Sequence, residues 1–299
     1  MKTSLIIGTG CAILMAIGAQ DIVSPVHAQG NAKTPPKLTP ATIERIEAAA
    51  PAEAVAKPRA ARRILVFWRC EGFFHGEGIA GGNHALAHMG RRTGAYTADF
   101  SDDYSVFDPN QLAKYDAIVL NNTTHLKFPD AVKKQALLDF VQKGKGIVGI
   151  HAATDCFYDW PEAAAMLGGL FDGHPWGAGG TWAFKIEEPT HTLNRAWGGK
   201  GFKLQDEIYQ FTAPYTRADR RVLVSLDLSD PATAAVKNGV KRTDGDFAVA
   251  WIKKHGQGRV FYCSLGHAAN VFEDAGVLRF YLDGIQYALG DLEADASPR

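Results

Sequence analysis

The chain has 299 residues, and its 32 basic and 32 acidic side chains give a formal net charge of zero. Its folded part contains no cluster of lysine and arginine, so there is no electrostatic basis for a nucleic-acid partner. From about residue 62 onward the composition is that of a globular domain, long enough for one large domain rather than two.

The first 28 residues have the pattern of a cleavable signal peptide. Lys2 supplies a positive charge, and residues 4–19 form an apolar stretch that is too short for a stable membrane span. Residues 26–28 place small or tolerated side chains at the positions that precede a cleavage site before Gln29. This pattern predicts a periplasmic or secreted protein with no stable membrane insertion after cleavage.

Residues 29–60 are rich in alanine, proline and lysine and contain few large apolar side chains. Such a composition buries too little surface to offset the entropy of ordering, so it predicts a tether with a short helix over 42–50. The pair Thr39-Pro40 is a typical helix start. We expect the folded domain to span 61–292, followed by a tail over 293–299.

Strands alternate with helices in the first half of the domain. Apolar runs predict strands over 63–68, 96–100, 116–121 and 146–151, and helices over 82–93 and 129–143. The second half predicts strands over 182–187, 202–211 and 221–228, a hairpin of 247–253 with 259–264, and a closing helix over 276–289. This order is typical of an α/β fold with a mostly parallel sheet and an antiparallel extension.

Three cysteines remain after the predicted cleavage: Cys70, Cys156 and Cys263. An odd number in an oxidising compartment permits one disulfide at most. The alternative is three buried thiols, which pack as small apolar side chains.

Several histidines follow predicted strands. Ligands of open parallel sheets bind beyond the carboxyl ends of the strands. His75, His151 and His267 all come shortly after a predicted strand, so we expect them to converge at one edge of the sheet. Such a convergence indicates a binding or catalytic site.

His151 lies at a sharp strand-to-loop transition within the small-residue segment GIHAA. Related α/β folds place a nucleophile on a strained turn at this position. Histidine suits a general base or a metal ligand there, because its pKa lies near neutrality. Asp155, four residues further on, is placed to orient His151 or to join a metal site.

Asp206 and Glu207 are adjacent carboxylates on the strand predicted over 202–211. Neighbouring side chains of a strand face opposite sides of the sheet, so one of them can face the cleft. We select Glu207 for the cleft and Asp206 as the second candidate. With His151, His267 and Asp155, they form the predicted catalytic set.

A divalent metal, zinc in the first place, suits the ligand chemistry of the histidines. The candidate metal ligands are His75, His151, His174 and His267. The glycines of 76–82 match neither a P-loop nor a dinucleotide pattern, so no nucleotide cofactor is expected. Polar and aromatic groups near the strand ends are candidates for binding a sugar: Asn121, Thr154, Tyr158, Trp160, Trp176 and Tyr209.

Five segments in this order resemble the ThuA-like family, which is named for trehalose utilisation: RILVFW with FFHG, GIVGIHAATDCFYDWP, LGGLFDGHP, DEIYQF and GQGRVFYCSLGH. The resemblance covers residues 62–290. It implies a class I glutamine amidotransferase-like fold with a flavodoxin-like core, in which His151 replaces the amidotransferase cysteine. It also implies a link to sugar catabolism beside oxidoreductases that make 3-keto sugars, and zinc in some members.

Residues and resemblance together predict an exported carbohydrate-processing protein, a lyase or hydrolase of 3-keto-glycosides. In this prediction His151 is the base, Glu207 is the acid, and His267 or a metal stabilises the enolate. Two alternatives stay open: a keto-sugar isomerase or epimerase that uses the same base, and a non-catalytic carbohydrate-binding module.

Overall fold

The computed structural model describes residues 33–299, so the predicted signal peptide lies outside the described residues. The helices are α1 (Pro40–Ala49), α2 (Gly76–Thr93), α3 (Pro109–Leu112), α4 (Ala131–Gln142), α5 (Pro161–Leu167), α6 (Pro231–Ala235) and α7 (Ala275–Leu289). The strands are β1 (Arg63–Phe67), β2 (Thr97–Ser101), β3 (Ala117–Asn121), β4 (Gly146–Ile150), β5 (Leu170–Phe171), β6 (Thr181–Ile186), β7 (Phe202–Gln205), β8 (Phe211–Thr212), β9 (Arg221–Leu226), β10 (Ala248–His255) and β11 (Gly258–Cys263).

Nine strands form one sheet in the order β2-β1-β3-β4-β11-β10-β9-β6-β7. The first five are mutually parallel, and β10, β9, β6 and β7 extend the sheet with antiparallel pairs. The central strands β3 and β4 are buried along their whole length, because helices cover both faces. The prediction of a mostly parallel α/β sheet with an antiparallel extension is confirmed.

Helix α2 begins at Gly76, six residues before the predicted start, because its glycines pack directly on the ends of the strands. A Cβ atom on Gly78 would lie 2.5 Å from the carbonyl oxygen of Gly266, and one on Gly82 would lie 2.7 Å from the Asn121 side chain. Glycine is therefore required at position 78, where the neighbouring atoms are backbone, whereas a Cβ at position 82 would displace the Asn121 side chain. The packing brings the first turn of α2 to the carboxyl edge of the parallel strands.

The described part of residues 29–60 packs on the domain instead of forming the predicted tether. Helix α1 covers α2 and buries Ile46 completely. Arg45 forms an ion pair of 2.7 Å with Glu273. The low content of large apolar side chains predicts a tether, but one apolar side chain and a few ion pairs are enough to attach the segment to a core that already exists. The predicted tail is also in contact with the domain, through Asp295 and Arg221.

Cys70, Cys156 and Cys263 are all buried, and Cys156 and Cys263 carry free thiols. Burial raises the pKa of Cys263 to about 12, which makes this thiol unreactive. Within residues 33–299, no helix is both long and apolar enough to cross a membrane.

Candidate functional site

His151 directly follows β4 and has a φ of +47°, in the left-handed region that residues with a Cβ rarely adopt. This turn directs its ring across the sheet edge. The Nδ1–H donates a hydrogen bond of 2.7 Å to the carbonyl oxygen of Ser264. The lone pair of His151 therefore lies on Nε2, which is buried and has no hydrogen-bond partner.

Four side chains converge at this edge: His75, His151, Glu207 and His267. One potential ligand atom from each lies within 4.8 Å of all the others. His75 immediately precedes α2, His151 follows β4, and His267 follows β11. The ends of the adjacent strands β4 and β11 thus supply two imidazoles, and the start of α2 supplies the third, as expected for a site at the carboxyl edge of a parallel sheet.

Glu207 lies between the imidazoles and provides the negative charge of the site. Its carboxylate oxygens lie 3.7 Å from Nε2 of His151, 3.4 Å from Nδ1 of His267 and 3.3 Å from Nδ1 of His174. Burial acts to raise the pKa of Glu207, but His151 and His267 outweigh it and lower the pKa below its usual range. The carboxyl group is therefore ionised.

His75 is a neutral imidazole. Burial lowers the pKa of His75 to about 2, and the electrostatic effect of the neighbouring imidazoles acts in the same direction. Its Nδ1 is buried without a hydrogen-bond partner, and its Nε2 lies 3.5 Å from the hydroxyl of Tyr209. For His267 burial lowers the pKa, but Glu207 outweighs it and raises the pKa above its ordinary value.

Asp206 holds the loop that carries His267. Its two oxygens accept hydrogen bonds from the backbone N–H groups of Gly266 at 2.7 Å and of His267 at 3.1 Å. Strand β7 ends at Gln205, so the predicted strand alternation does not apply to the two carboxylates. They nevertheless differ in role, because Asp206 faces the backbone of the loop and Glu207 faces the imidazoles.

Asp155 contacts different partners from the one predicted. Its carboxylate accepts a hydrogen bond of 2.5 Å from the hydroxyl of Tyr158 and lies 3.3 Å from Nε2 of His125. It does not orient His151, because the carbonyl of Ser264 already binds Nδ1 of that ring. Burial raises the pKa of Asp155. His151 is selected because sites of parallel sheets lie beyond the carboxyl ends of the strands. This rule of strand ends also applies to His125, which comes four residues after β3.

Four predicted sugar contacts are buried among protein groups and do not line the site: Asn121, Thr154, Trp160 and Trp176. Trp176 is 1% exposed, and its indole N–H donates to the carbonyl of Thr233. Asn121 donates to the side chain of Asn83 beneath α2. Large aromatic side chains more often pack in a core than bind a ligand, and sequence alone does not separate the two uses. Tyr209 does reach the site, with its ring centroid 4.4 Å from that of His151.

Two exposed rings flank the four-residue group. Phe73 is 66% exposed, and its ring centroid lies 4.7 Å from that of His75. The imidazole of His174, a predicted metal ligand, is about half exposed and stacks on Phe171 with centroids 6.0 Å apart. His174 therefore lies on the solvent side of Glu207, outside the four-residue group. Sequence analysis does not single out Phe73, whose only signal is its position beside His75.

The four-residue group fits a divalent cation. Three imidazoles and one carboxylate are the ligands that zinc prefers. Nδ1 of His75, Nε2 of His151 and Nδ1 of His267 are buried without hydrogen-bond partners, a cost that a bound cation would remove. The structure therefore contains a set of residues suited to a metal, without fixing its identity.

The mostly parallel sheet and the left-handed turn after β4 place this chain in the class of proteins with a glutamine amidotransferase-like fold. In this chain the residue at that turn is His151. The chain belongs to the ThuA family, described by trehalose utilisation, whose sequence profile matches residues 63–288. This membership relates the chain to carbohydrate metabolism. Among curated proteins, no relative matches this chain.

Two solved structures are similar in fold. A ThuA-like protein from Bacteroides uniformis has a TM-score of 0.62 and 20% identity, over 78% of this chain and 93% of that chain. A ThuA-like protein from Parabacteroides merdae has a TM-score of 0.58 and 18% identity, over 80% of this chain and 98% of that chain. At these identities the comparison establishes the shared fold.

Proposed function

We propose that this chain is an exported enzyme that cleaves the glycosidic C–O bond of 3-keto-glycosides by proton transfer, assisted by a divalent cation. The observation that carries the proposal is the convergence of three imidazoles and one carboxylate within 4.8 Å at the sheet edge. Family membership supports a carbohydrate substrate. Export rests on the charged start and short apolar stretch of the N-terminal sequence.

The reaction begins with loss of the proton at C2, which the neighbouring 3-keto group makes acidic. The electron pair of the C–H bond forms an enolate with its charge on the ketone oxygen. When the pair returns to form a C1–C2 double bond, the glycosidic oxygen leaves C1 and takes up a proton. The products are an enone sugar and an alcohol, and addition of water across the double bond would complete a hydrolysis.

The role of the four-residue group would be to hold a cation that offsets the negative charge of the enolate. His75, His151, Glu207 and His267 would hold a divalent cation, which when bound supplies a Lewis acid for the ketone oxygen. His151 suits this role better than proton transfer, because its Nε2 is buried and faces Glu207. The hydrogen bond to Ser264 fixes the tautomer that leaves Nε2 free to bind.

His174 is the residue best placed to move the proton. Its ring is about half exposed, and its Nδ1 lies 3.3 Å from Oε2 of Glu207. A sugar that approaches the four-residue group from solvent therefore meets this imidazole. His174 accepts the C2 proton and returns it to the leaving glycosidic oxygen, while Glu207 stabilises the imidazolium formed in between.

The experiment uses 3-keto-disaccharides and follows release of the monosaccharide and absorbance of the enone. His174→Gln is expected to lower kcat by roughly 10²- to 10⁴-fold, the usual contribution of a general acid–base, while bound zinc stays unchanged. His151→Ala is expected to lose turnover together with the one equivalent of zinc bound by the four-residue group. His255→Gln is the control, because His255 lies at the β10–β11 hairpin, at the opposite end of the parallel strands.

Product analysis separates this reaction from the alternatives. An epimerised or isomerised keto sugar with its glycosidic bond intact would contradict cleavage and favour an isomerase. Sugar binding without turnover, retained in the His151→Ala and His174→Gln variants, would favour a carbohydrate-binding module.

A further inference from the structure

A second group of metal-ligand side chains lies on the opposite side of α2 from the strand ends. It consists of Glu47 on α1 with His84 and His88 on α2, and one potential ligand atom from each lies within 4.8 Å of the others. His84 and His88 are four residues apart, so they project from the same face of the helix. This spacing is common in helical zinc sites, which use two histidines one turn apart.

The distances fit one cation bound by all three residues. Oε1 of Glu47 lies 3.0 Å from Nε2 of His84 and 3.4 Å from Nδ1 of His88. Two ligands of a tetrahedral zinc ion, each bonded at the usual 2.0–2.1 Å, are about 3.3 Å apart. The ligand atoms can therefore bind zinc with only small side-chain movements.

Hydrogen bonding within the protein leaves this group incompletely satisfied. Nδ1 of His88 approaches Glu47 at 3.4 Å without forming a hydrogen bond, so a cation at this nitrogen would displace no existing bond. Nε2 of the same ring points away from Glu47 and is not part of the ligand set. The three side chains are partly buried, with 24%, 18% and 40% exposure for His84, His88 and Glu47. Water can thus reach the site and complete a four-ligand shell.

We propose that Glu47, His84 and His88 bind a divalent transition-metal cation, with zinc as the best fit, and that this cation fastens α1 to the domain. The family match covers residues 63–288, so it includes the two histidines and excludes Glu47. The site therefore depends on the N-terminal segment. Because the cation binds only when α1 is docked, it stabilises the docked state in proportion to its affinity and concentration.

The test measures zinc per chain after equilibrium dialysis at micromolar free zinc. The His88→Ala and Glu47→Gln variants are each expected to hold one equivalent less than the unmodified protein. Glu44→Gln is the matched control, because Glu44 is exposed on the same helix and lies outside the group. This difference does not depend on the first site: if His75, His151, Glu207 and His267 bind no zinc, the counts fall from one to zero instead of from two to one.

A second measurement locates the bound zinc. Limited proteolysis between α1 and β1 is expected to slow severalfold on addition of zinc to the unmodified protein and to the His151→Ala variant. It is expected to be insensitive to zinc in His88→Ala and Glu47→Gln. Equal zinc contents in the unmodified protein and these two variants, or equal zinc protection of all of them, would overturn the proposal.

Discussion

His151 keeps a left-handed backbone although it carries a Cβ atom, and this conformation costs about 1–2 kcal/mol relative to glycine. We therefore predict that His151→Gly is more stable than His151→Ala by about 1 kcal/mol, the reverse of the usual order. Both variants lose the hydrogen bond to Ser264, so the difference between their unfolding free energies reports only the cost of the left-handed backbone conformation. Urea denaturation in the presence of a chelator gives the comparison without bound metal. An alanine variant as stable as the glycine variant would contradict the strain.

Phe73 offers a largely exposed ring beside His75, at the entrance to the four-residue group. If a sugar packs its apolar face on this ring, Phe73→Ala removes roughly 50 Å² of contact, worth about 1 kcal/mol or a fivefold rise in KM. The Phe73→Trp variant keeps the aromatic face and should keep KM. The measurement is steady-state turnover of a 3-keto-disaccharide. An unchanged KM in the alanine variant would exclude stacking at this position.

The loop that follows β11 depends on Asp206, which binds two backbone N–H groups at Gly266 and His267. Asp206→Ala leaves the buried N–H of Gly266 and the partly buried N–H of His267 without a partner, which should cost about 2–5 kcal/mol of unfolding free energy and displace His267. Asp206→Asn keeps one oxygen acceptor and should lose less. Thermal unfolding and zinc content check the two variants together. An alanine variant with normal zinc binding would show that the loop holds its position without this carboxylate.

Helix α7 contains a buried acid, Asp283, whose side chain is 1% exposed and lies 3.5 Å from Arg279. Burial raises the pKa of Asp283 to about 6, whereas an unfolded chain has a pKa of about 3.9. Between these values the folded state binds more protons than the unfolded state, so stability falls as pH rises from about 4 to about 6. The loss is complete above the folded pKa and amounts to roughly 2–3 kcal/mol.

We therefore expect Asp283→Asn to stabilise the protein near pH 8 and to have little effect near pH 4. Unfolding midpoints in urea at the two pH values give the measurement. Asp139→Asn is the control, because Asp139 is exposed on α4 and pairs with Lys143, which lowers its pKa. It should give no gain near pH 8. A gain for Asp283→Asn that is equal at both pH values would rule out the protonation account.

Sequence patterns predict elements whose signal is local and miss features that arise from packing between elements. The apolar runs of β3 and β4 predict buried strands, because those residues are buried whatever lies beside them. The start of α2 and the end of β7 are not predictable in this way. The glycines of α2 resemble a loop until a strand end lies against them. Residues 206–210 continue the predicted strand of 202–211 in sequence, although they form no ladder in the structure.

The same limit applies to the candidate sites across the whole molecule. The rule of strand ends predicts the neighbourhood of His75, His151 and His267, because parallel strands deliver their ends to one edge. It does not separate a core tryptophan such as Trp176 from a sugar-binding one. It also gives no signal for Glu47, which meets α2 only because the N-terminal segment folds back on the domain.

That folded-back segment makes a prediction for the molecule as a whole. Residues 33–60 bury Ile46 and bind two buried side chains of the C-terminal region: Ala56 bonds to Gln286, and the backbone N–H of Arg59 donates to Asp291. A chain that starts at residue 61 loses this burial and leaves the side-chain amide of Gln286 without its partners, while Asp291 keeps only its ion pair with Arg62. We expect it to be at least about 3 kcal/mol less stable than the full chain.

Urea denaturation in the presence of a chelator measures this difference without any contribution from bound metal. In the full chain, Ile46→Ala should reproduce about 2–4 kcal/mol of the loss, because it empties a fully buried position. Val55→Ala is the matched control in the same segment, since Val55 is 44% exposed and should cost little. A truncated chain as stable as the full one would mean that the segment adds nothing to the fold, and the docking of α1 would then depend on the cation alone.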